Sequence, residues 1–132
     1  MIFSGFSYPF INKETGSKII LLPLGAMEQH GPHLSVATDT DIVTEVAKYA
    51  ESKLPDDILL CPTLAFGSSN HHLAFGATIS ISPELYTQLI VEIVESFLKS
   101  GFTKIVLLNG HGGNITPVKQ ALSILSNRYD AT

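Results

Sequence analysis

The stretch LLPLGAMEQHGPHLSVATD, residues 21–39, decides both how the chain folds and where its chemistry sits. The apolar run Ile19-Ile20-Leu21-Leu22 leads into it and predicts a strand covered on both faces, the pattern of a parallel sheet. That run empties into a segment dense in side chains able to bind metals. Glu28 and His30 stand two apart, so on an extended backbone their side chains leave on the same side. His33 and Asp39 follow closely. A second apolar run, Ile105-Val106-Leu107-Leu108, empties into Asn-Gly-His-Gly-Gly-Asn at 109–114 and puts His111 at a strand end too. Two strand ends furnished in this way predict one shared metal site.

With 132 residues the chain is expected to form a single domain, 1–132, large enough to bury a real core. Its apolar fraction of 45% and charged fraction of 15% describe an ordinary globular composition and exclude a disordered one. Net charge is −4 and the eight Lys and Arg residues are scattered, so no nucleic-acid partner is expected. The lone Cys61 excludes an internal disulfide and fits a reducing compartment. It follows an apolar run and precedes Pro62, where a buried, inert thiol is expected. No apolar stretch is long enough to cross a bilayer, so no membrane partner is expected. The first residues lack a basic segment followed by an apolar one, so the expected location is the cytoplasm.

Between and around the two strands the pattern alternates. Residues 1–17 hold Phe3, Phe6, Tyr8 and Phe10 without a clear period and read as an arm for packing on this body or a neighbouring copy. Ile42, Val43, Val46, Ala47, Ala50 and Leu54 make a helical stripe over about 40–53, with Thr38 or Asp39 placed to cap it and Pro55 to close it. Residues 58–61 read as a second strand, stopped by Pro62, and 63–82 as loop with an alternating edge strand at 78–81. Ser82-Pro83-Glu84 opens the next helix with a cap, a first-turn proline and an acid at the positive end; Gly101 ends it. Its expected core face is Leu85, Leu89, Ile90, Ile93, Val94, Phe97 and Leu98. The third strand, 104–108, follows, and a last helix starts near Thr116-Pro117. This order predicts an α/β fold, a three-layer α/β/α arrangement with a mostly parallel sheet and strand order 2-1-3. In such sheets ligands bind where the winding reverses, here between strands 1 and 3.

Glu28, His30, Asp39 and His111 form a mixed nitrogen and oxygen set suited to zinc first, with manganese or iron as alternatives. Asp39 is the candidate to bridge two ions roughly 3.5–4 Å apart, its other reading being a plain helix cap. For Glu28 and His30 the other reading is a solvated loop. Around His111 the glycines at 110, 112 and 113 permit close backbone approach, and a phosphate-cradling turn competes for the same segment. That competitor lacks the P-loop Lys-Ser/Thr and the GxGxxG spacing. His33 reads as structural. Of the adjacent His71 and His72, at most one is expected to face the site, and His72 is the candidate for acid–base work. Neither a serine nor the cysteine has a nucleophile's setting; Gly67-Ser68-Ser69 is no GxSxG elbow.

Three stretches resemble the creatininase (creatinine amidohydrolase) family: residues 23–34 with Thr38-Asp39, residues 69–78 around His72 and Phe75, and residues 109–114. The resemblance covers nearly all of this chain and the N-terminal half of a usual family member. It implies an α/β fold, two metal ions, and hydrolysis of a non-peptide C–N bond in a cyclic amide such as creatinine, or in a formamide, by a metal-bound hydroxide. It also implies a small-molecule amide substrate and a homo-oligomer, a hexamer in the family. Carried over, Glu28, Asp39 and His111 hold one ion, and His30 with the bridging Asp39 holds the other. Creatininase proper completes its second site with a glutamate at the position of Gly113, and relatives with the Gly-Gly form take a carboxylate from their C-terminal half. The middle motif, usually Glu-His, reads His71-His72 here. An inactive creatininase-like fragment serving as a binding or assembly module is the alternative. Strand 3 is expected to be an open apolar edge that promotes association.

Overall fold

Ile19–Leu24 (β1) forms the centre of the sheet in a computed structural model that describes residues 1–129. Among the described residues the sheet has three parallel strands in the order β2-β1-β3, with β2 at Ile58–Leu60 and β3 at Ile105–Asn109. This is the predicted order. Leu21 lies opposite Leu60 on one side and Val106 on the other, and Leu24 lies opposite Asn109. The carboxyl ends of β1 and β3 are therefore level, and the segments leaving them must meet.

Side-chain alternation along β1 feeds two cores. Ile20, Leu22 and Leu24 join Leu59, Cys61, Tyr86, Ile90, Val94, Val118 and Leu125 under α3 (Pro83–Lys99) and α4 (Ile115–Arg128). Leu21 faces the other way, with Ile58, Leu60 and Ala47 of α2 (Thr38–Lys53). The result is the expected three layers: α2, sheet, then α3 with α4. Cys61 is buried, and burial pushes its thiol up to about 12.

The differences from expectation have local causes. α2 begins at Thr38 with Ala37 at its cap and no side-chain cap; Thr38 Oγ1 donates to the Ser35 carbonyl at 2.6 Å instead. Asp39 thus sits inside the first turn, where the helix dipole favours its charge and its carboxylate is left for other partners. Of the α2 stripe, Val43 and Ala47 are buried, while Ile42 and Val46 lie outside because one helix alone covers this face. In α3 Ser82 caps as expected, accepting from Leu85 N–H at 3.3 Å. The core face is rotated, however: Tyr86 is buried in place of Leu85, which is 61% exposed. Residues 78–81 form no strand, only a single antiparallel bridge between Ile79 and Met27, and Asn70–Phe75 is a 3-10 turn. The N-terminal arm packs on its own chain. Its helix α1 (Tyr8–Glu14) buries Ile11, Phe3 meets Phe97 edge-on at 5.9 Å, and Leu60 N–H bonds the Met1 carbonyl at 2.8 Å.

Candidate metal centre

Beyond Leu24 the chain stays pinned to its neighbours. Thr40 Oγ1 of α2 donates to the Ala26 carbonyl at 2.8 Å, and Gly110 N–H beyond β3 donates to the Leu24 carbonyl at 2.8 Å. These bonds set the Glu28 segment against both the start of α2 and the His111 loop. The Asn114 side chain, fully buried, ties in the third loop: its Oδ1 accepts from Ser68 N–H at 2.9 Å and its Nδ2 donates to the Gly25 carbonyl at 3.0 Å. At Gly113 a side chain has no room, because a Cβ would stand 2.5 Å from His111 Nε2 and closer still to the Ser68 carbonyl.

The consequence is a continuous line of six polar side chains. His30 Nε2 lies 3.2 Å from Asp39 Oδ1, Asp39 Oδ2 lies 2.7 Å from His111 Nδ1, and His111 Nε2 lies 3.5 Å from Glu28 Oε2. Glu28 in turn faces His71 Nε2 at 3.8 Å and His72 Nε2 at 3.7 Å. Glu28, His30, Asp39 and His111, the set expected from the sequence, are thus brought together. Their finer grouping differs from the expected one. Glu28, His30 and Asp39 present ligand atoms within 4.8 Å of one another, as do Glu28, His71 and His72. Both adjacent histidines face the site, contrary to expectation, because the tight 3-10 turn turns both imidazoles toward Glu28. His33 is exposed and stands outside the cluster.

Protonation follows from the partners. His30 Nδ1–H donates to the Glu28 carbonyl at 2.9 Å, which leaves the Nε2 lone pair facing Asp39. That backbone bond, followed by the nearby Asp39 and Glu28 charges, raises the His30 pKa against a lowering by burial. With its proton on Nδ1, His111 donates to Asp39 and accepts from Ser69 Oγ at 3.0 Å; with it on Nε2, the ring donates to the Ser68 carbonyl at 3.1 Å. The line Asp39, His111, Ser69 follows the order of a nucleophilic triad, but Ser69 is fully buried and no substrate carbon can reach its hydroxyl. The phosphate-cradle reading loses three donors as well: the Gly110 N–H is spent on the Leu24 carbonyl, and those of His111 and Asn114 inside the turn. Ser69, Asn114 and Gln29, whose side-chain amide meets His72 Nδ1 at 2.6 Å, are the contributors that sequence reasoning missed.

Glu28 carries the test of whether a cation fits. It is 6% exposed, and among the described residues its Oε2 has no hydrogen-bond partner. A buried carboxylate without a hydrogen bond or a fixed counter-charge is costly. Two carboxylates and four imidazoles around one small volume are a donor set for a divalent ion, whose charge would balance Glu28 and Asp39.

Fold and site together define a parallel α/β protein with a carboxylate–imidazole centre at the point where the sheet reverses its winding. The chain belongs to the creatininase family: the family model, creatinine amidohydrolase, matches residues 7–132. It is 39% identical over 117 residues to the mycofactocin precursor peptide peptidase of Mycobacterium tuberculosis (strain CDC 1551 / Oshkosh), covering 83% of this chain and 46% of that protein. To the creatinine amidohydrolase of Pseudomonas putida it is 29% identical over 104 residues, covering 75% and 39%. A solved creatininase described as the manganese form superposes with a TM-score of 0.88 at 23% identity, covering 96% of this chain and 51% of that one. The chain therefore spans less than half the length of these two curated relatives. Among the described residues, no helix is long and apolar enough to cross a membrane.

Proposed function

We propose that this chain supplies the metal-binding half of a creatininase-type hydrolase that opens an amide C–N bond, with Glu28, His30, Asp39 and His111 as the residues that hold a divalent ion. The observation that carries this is the buried Glu28 carboxylate, whose Oε2 has no hydrogen-bond partner among the described residues and which is faced by histidine nitrogens. A divalent ion bound there would supply Lewis acidity, which lowers the pKa of a water and polarises a carbonyl. Zinc is the first candidate and manganese or iron the alternatives, since the donors are mixed nitrogen and oxygen. Solved relatives include a manganese creatininase and a Zn–Zn type.

The chain's own residues define the geometry of the reaction. His30 is locked in the tautomer that offers Nε2, and Asp39 presents one oxygen to His30 and the other to His111. His71, with its side chain 58% exposed, marks the open side from which a substrate enters. Phe75, 72% exposed and tilted against His72 at 5.7 Å between ring centres, offers an apolar surface beside it. A cyclic amide such as creatinine or a formamide is the first substrate class. A short peptide amide is the second, favoured by the higher identity to relatives called precursor peptide peptidases. The test is hydrolysis of one representative of each class by metal-stripped chain with and without added Zn²⁺ or Mn²⁺. Turnover that appears with metal and disappears with chelator is expected. Metal retention without turnover on any class favours the binding-module alternative, and no retained metal removes the reading altogether.

Self-association through β3 belongs to the same reading. Among the described residues the strand has one neighbour, and Val106, on the same face as Leu21, remains 46% exposed beyond the reach of α2. Sedimentation at rising concentration is expected to show a species larger than a monomer; a monomer throughout would remove this part.

A further inference from the structure

We infer that the two segments bracketing the centre, 30–39 and 70–79, form an apolar collar that selects an uncharged amide with a bulky apolar group beside the scissile C–N bond. Phe75 and Leu73 are its specificity-determining residues. The inference rests on the hydrolase reading above and deepens it by choosing among its substrates: an apolar peptide amide over a compact cyclic amide or a formamide.

Placement is the first argument. Leu34, Val36, Leu73, Phe75 and Ile79 are large, apolar and exposed, from 38% at Val36 to 72% at Phe75. Each is tied to the centre by the backbone or by contact. Leu34 and Val36 lie between His30 and Asp39, and the Val36 carbonyl accepts from Glu28 N–H at 2.8 Å. Leu73 follows His72 directly, and the Phe75 ring stands 5.7 Å from the His72 imidazole between centres. Ile79 N–H donates at 2.9 Å to the carbonyl of Met27, the neighbour of Glu28. An exposed apolar side chain standing alone needs no explanation. Five around one polar centre mark a binding surface.

Charge is the second argument. Segments 23–39, 63–82 and 105–118, which meet at the centre, contain no Lys or Arg. They bring Glu28 and Asp39 instead, so a phosphate or carboxylate on the substrate finds no fixed cation there and two anions in its way. An uncharged flank meets neither cost. The third argument is the turn after Phe75. Gly76 and Ala77 have φ of 75° and 49°, and for Ala77 this left-handed conformation is strained. The turn returns Thr78 to the centre, where its Oγ1 accepts from Gln29 N–H at 3.2 Å, and it leaves residues 73–77 all exposed. An aromatic ring held in water beside a strained turn adds little to folding and adds to binding once an apolar group covers it.

The test is binding, followed by ligand-observed NMR, of the acetylated amides of leucyl-phenylalanine, glycyl-glycine and leucyl-glutamate. It is run on wild type, Phe75→Ser and Phe75→Leu, with Zn²⁺ added and with bound zinc counted after dialysis. Wild type is expected to bind the leucyl-phenylalanine amide about 10-fold or more tighter than the glycyl-glycine amide, the effect of covering one large apolar side chain. The glutamate amide should bind more weakly than the leucyl-phenylalanine one. Phe75→Ser should lose most of this preference and Phe75→Leu keep it, with bound zinc and Tm alike in all three because the ring is exposed. Equal binding of the three amides by wild type, or an unchanged preference in Phe75→Ser, would overturn the collar. So would self-association that Phe75→Ser abolishes in sedimentation while wild type shows no peptide preference, since the surface then covers a second copy. A chain that retains no zinc yet shows the Phe75-dependent preference would end the hydrolase reading and support the apolar recognition. Zinc-dependent hydrolysis of a formamide without any apolar preference would do the reverse.

Discussion

Glu28→Gln is expected to strip the chain of tight metal binding while leaving its metal-free fold as stable as before or more so. The two effects have opposite signs because one carboxylate serves binding at the expense of folding. Glu28 faces His71, His72 and His111 at 3.5–3.8 Å, and it belongs to both ligand clusters. Losing its charge therefore weakens every ion the site can hold, by more than the ~100-fold that marks the upper end for outer-shell changes. In the metal-free chain the same carboxylate is buried, with Oε2 unpartnered among the described residues. No hydrogen bond among the described residues offsets the desolvation of that oxygen. The amide of glutamine keeps the shape and drops the charge. Thermal melting of chelator-treated protein should show Tm unchanged or higher by a few degrees, and Zn²⁺ competition should show the loss of affinity. A Tm several degrees lower would mean that the carboxylate is a structural partner of these histidines and that the case for a cation is wrong.

The convergence of the site was legible for a definite physical reason. Two consecutive apolar runs, 19–22 and 105–108, specify strands buried on both faces, and parallel strands with crossover helices leave few topologies. Once β1 and β3 are neighbours, Leu24 and Asn109 end level, and the segments carrying Glu28 and His111 have nowhere else to go. Ser82-Pro83-Glu84 and Gly101 marked α3 equally well because capping is local chemistry. What failed was whatever depends on neighbours that the linear pattern does not name. α3 is apolar around most of its girth, so a rotation of one residue, Tyr86 inward for Leu85, changes nothing in the periodicity. Asp39 looked like a cap because the cap is decided by how residues 31–37 enter the helix, and those residues bond among themselves. The facing of both His71 and His72 depends on a 3-10 turn inside a loop with no periodic signal. Ser69 and Asn114 are a hydroxyl and an amide among several, and only folding shows that one holds His111 and the other joins two loops.

Gly113→Ala should destabilise the metal-free chain and loosen the hold on His111 together, although it adds only a methyl group. The site of insertion is backbone, not a yielding side chain: the new Cβ would press on the Ser68 carbonyl and stand 2.5 Å from His111 Nε2. Relief requires the 109–114 turn to part from the 67–69 loop, which strains the Asn114 bonds to Ser68 N–H and the Gly25 carbonyl. Overpacking of this kind costs about 1–3 kcal/mol, read as a Tm drop of several degrees for a chain of this size. Because His111 rides on the same turn, metal affinity should fall with it, though none of the expected ligands has been altered. Gly113→Glu, which places a carboxylate where the family resemblance implies one, should behave the same way and not as a gain. A new ligand cannot act from a Cα whose Cβ collides with the neighbouring loop. If either variant melts at the wild-type temperature and binds metal as before, the contact between Gly113 and Ser68 is not what fixes His111.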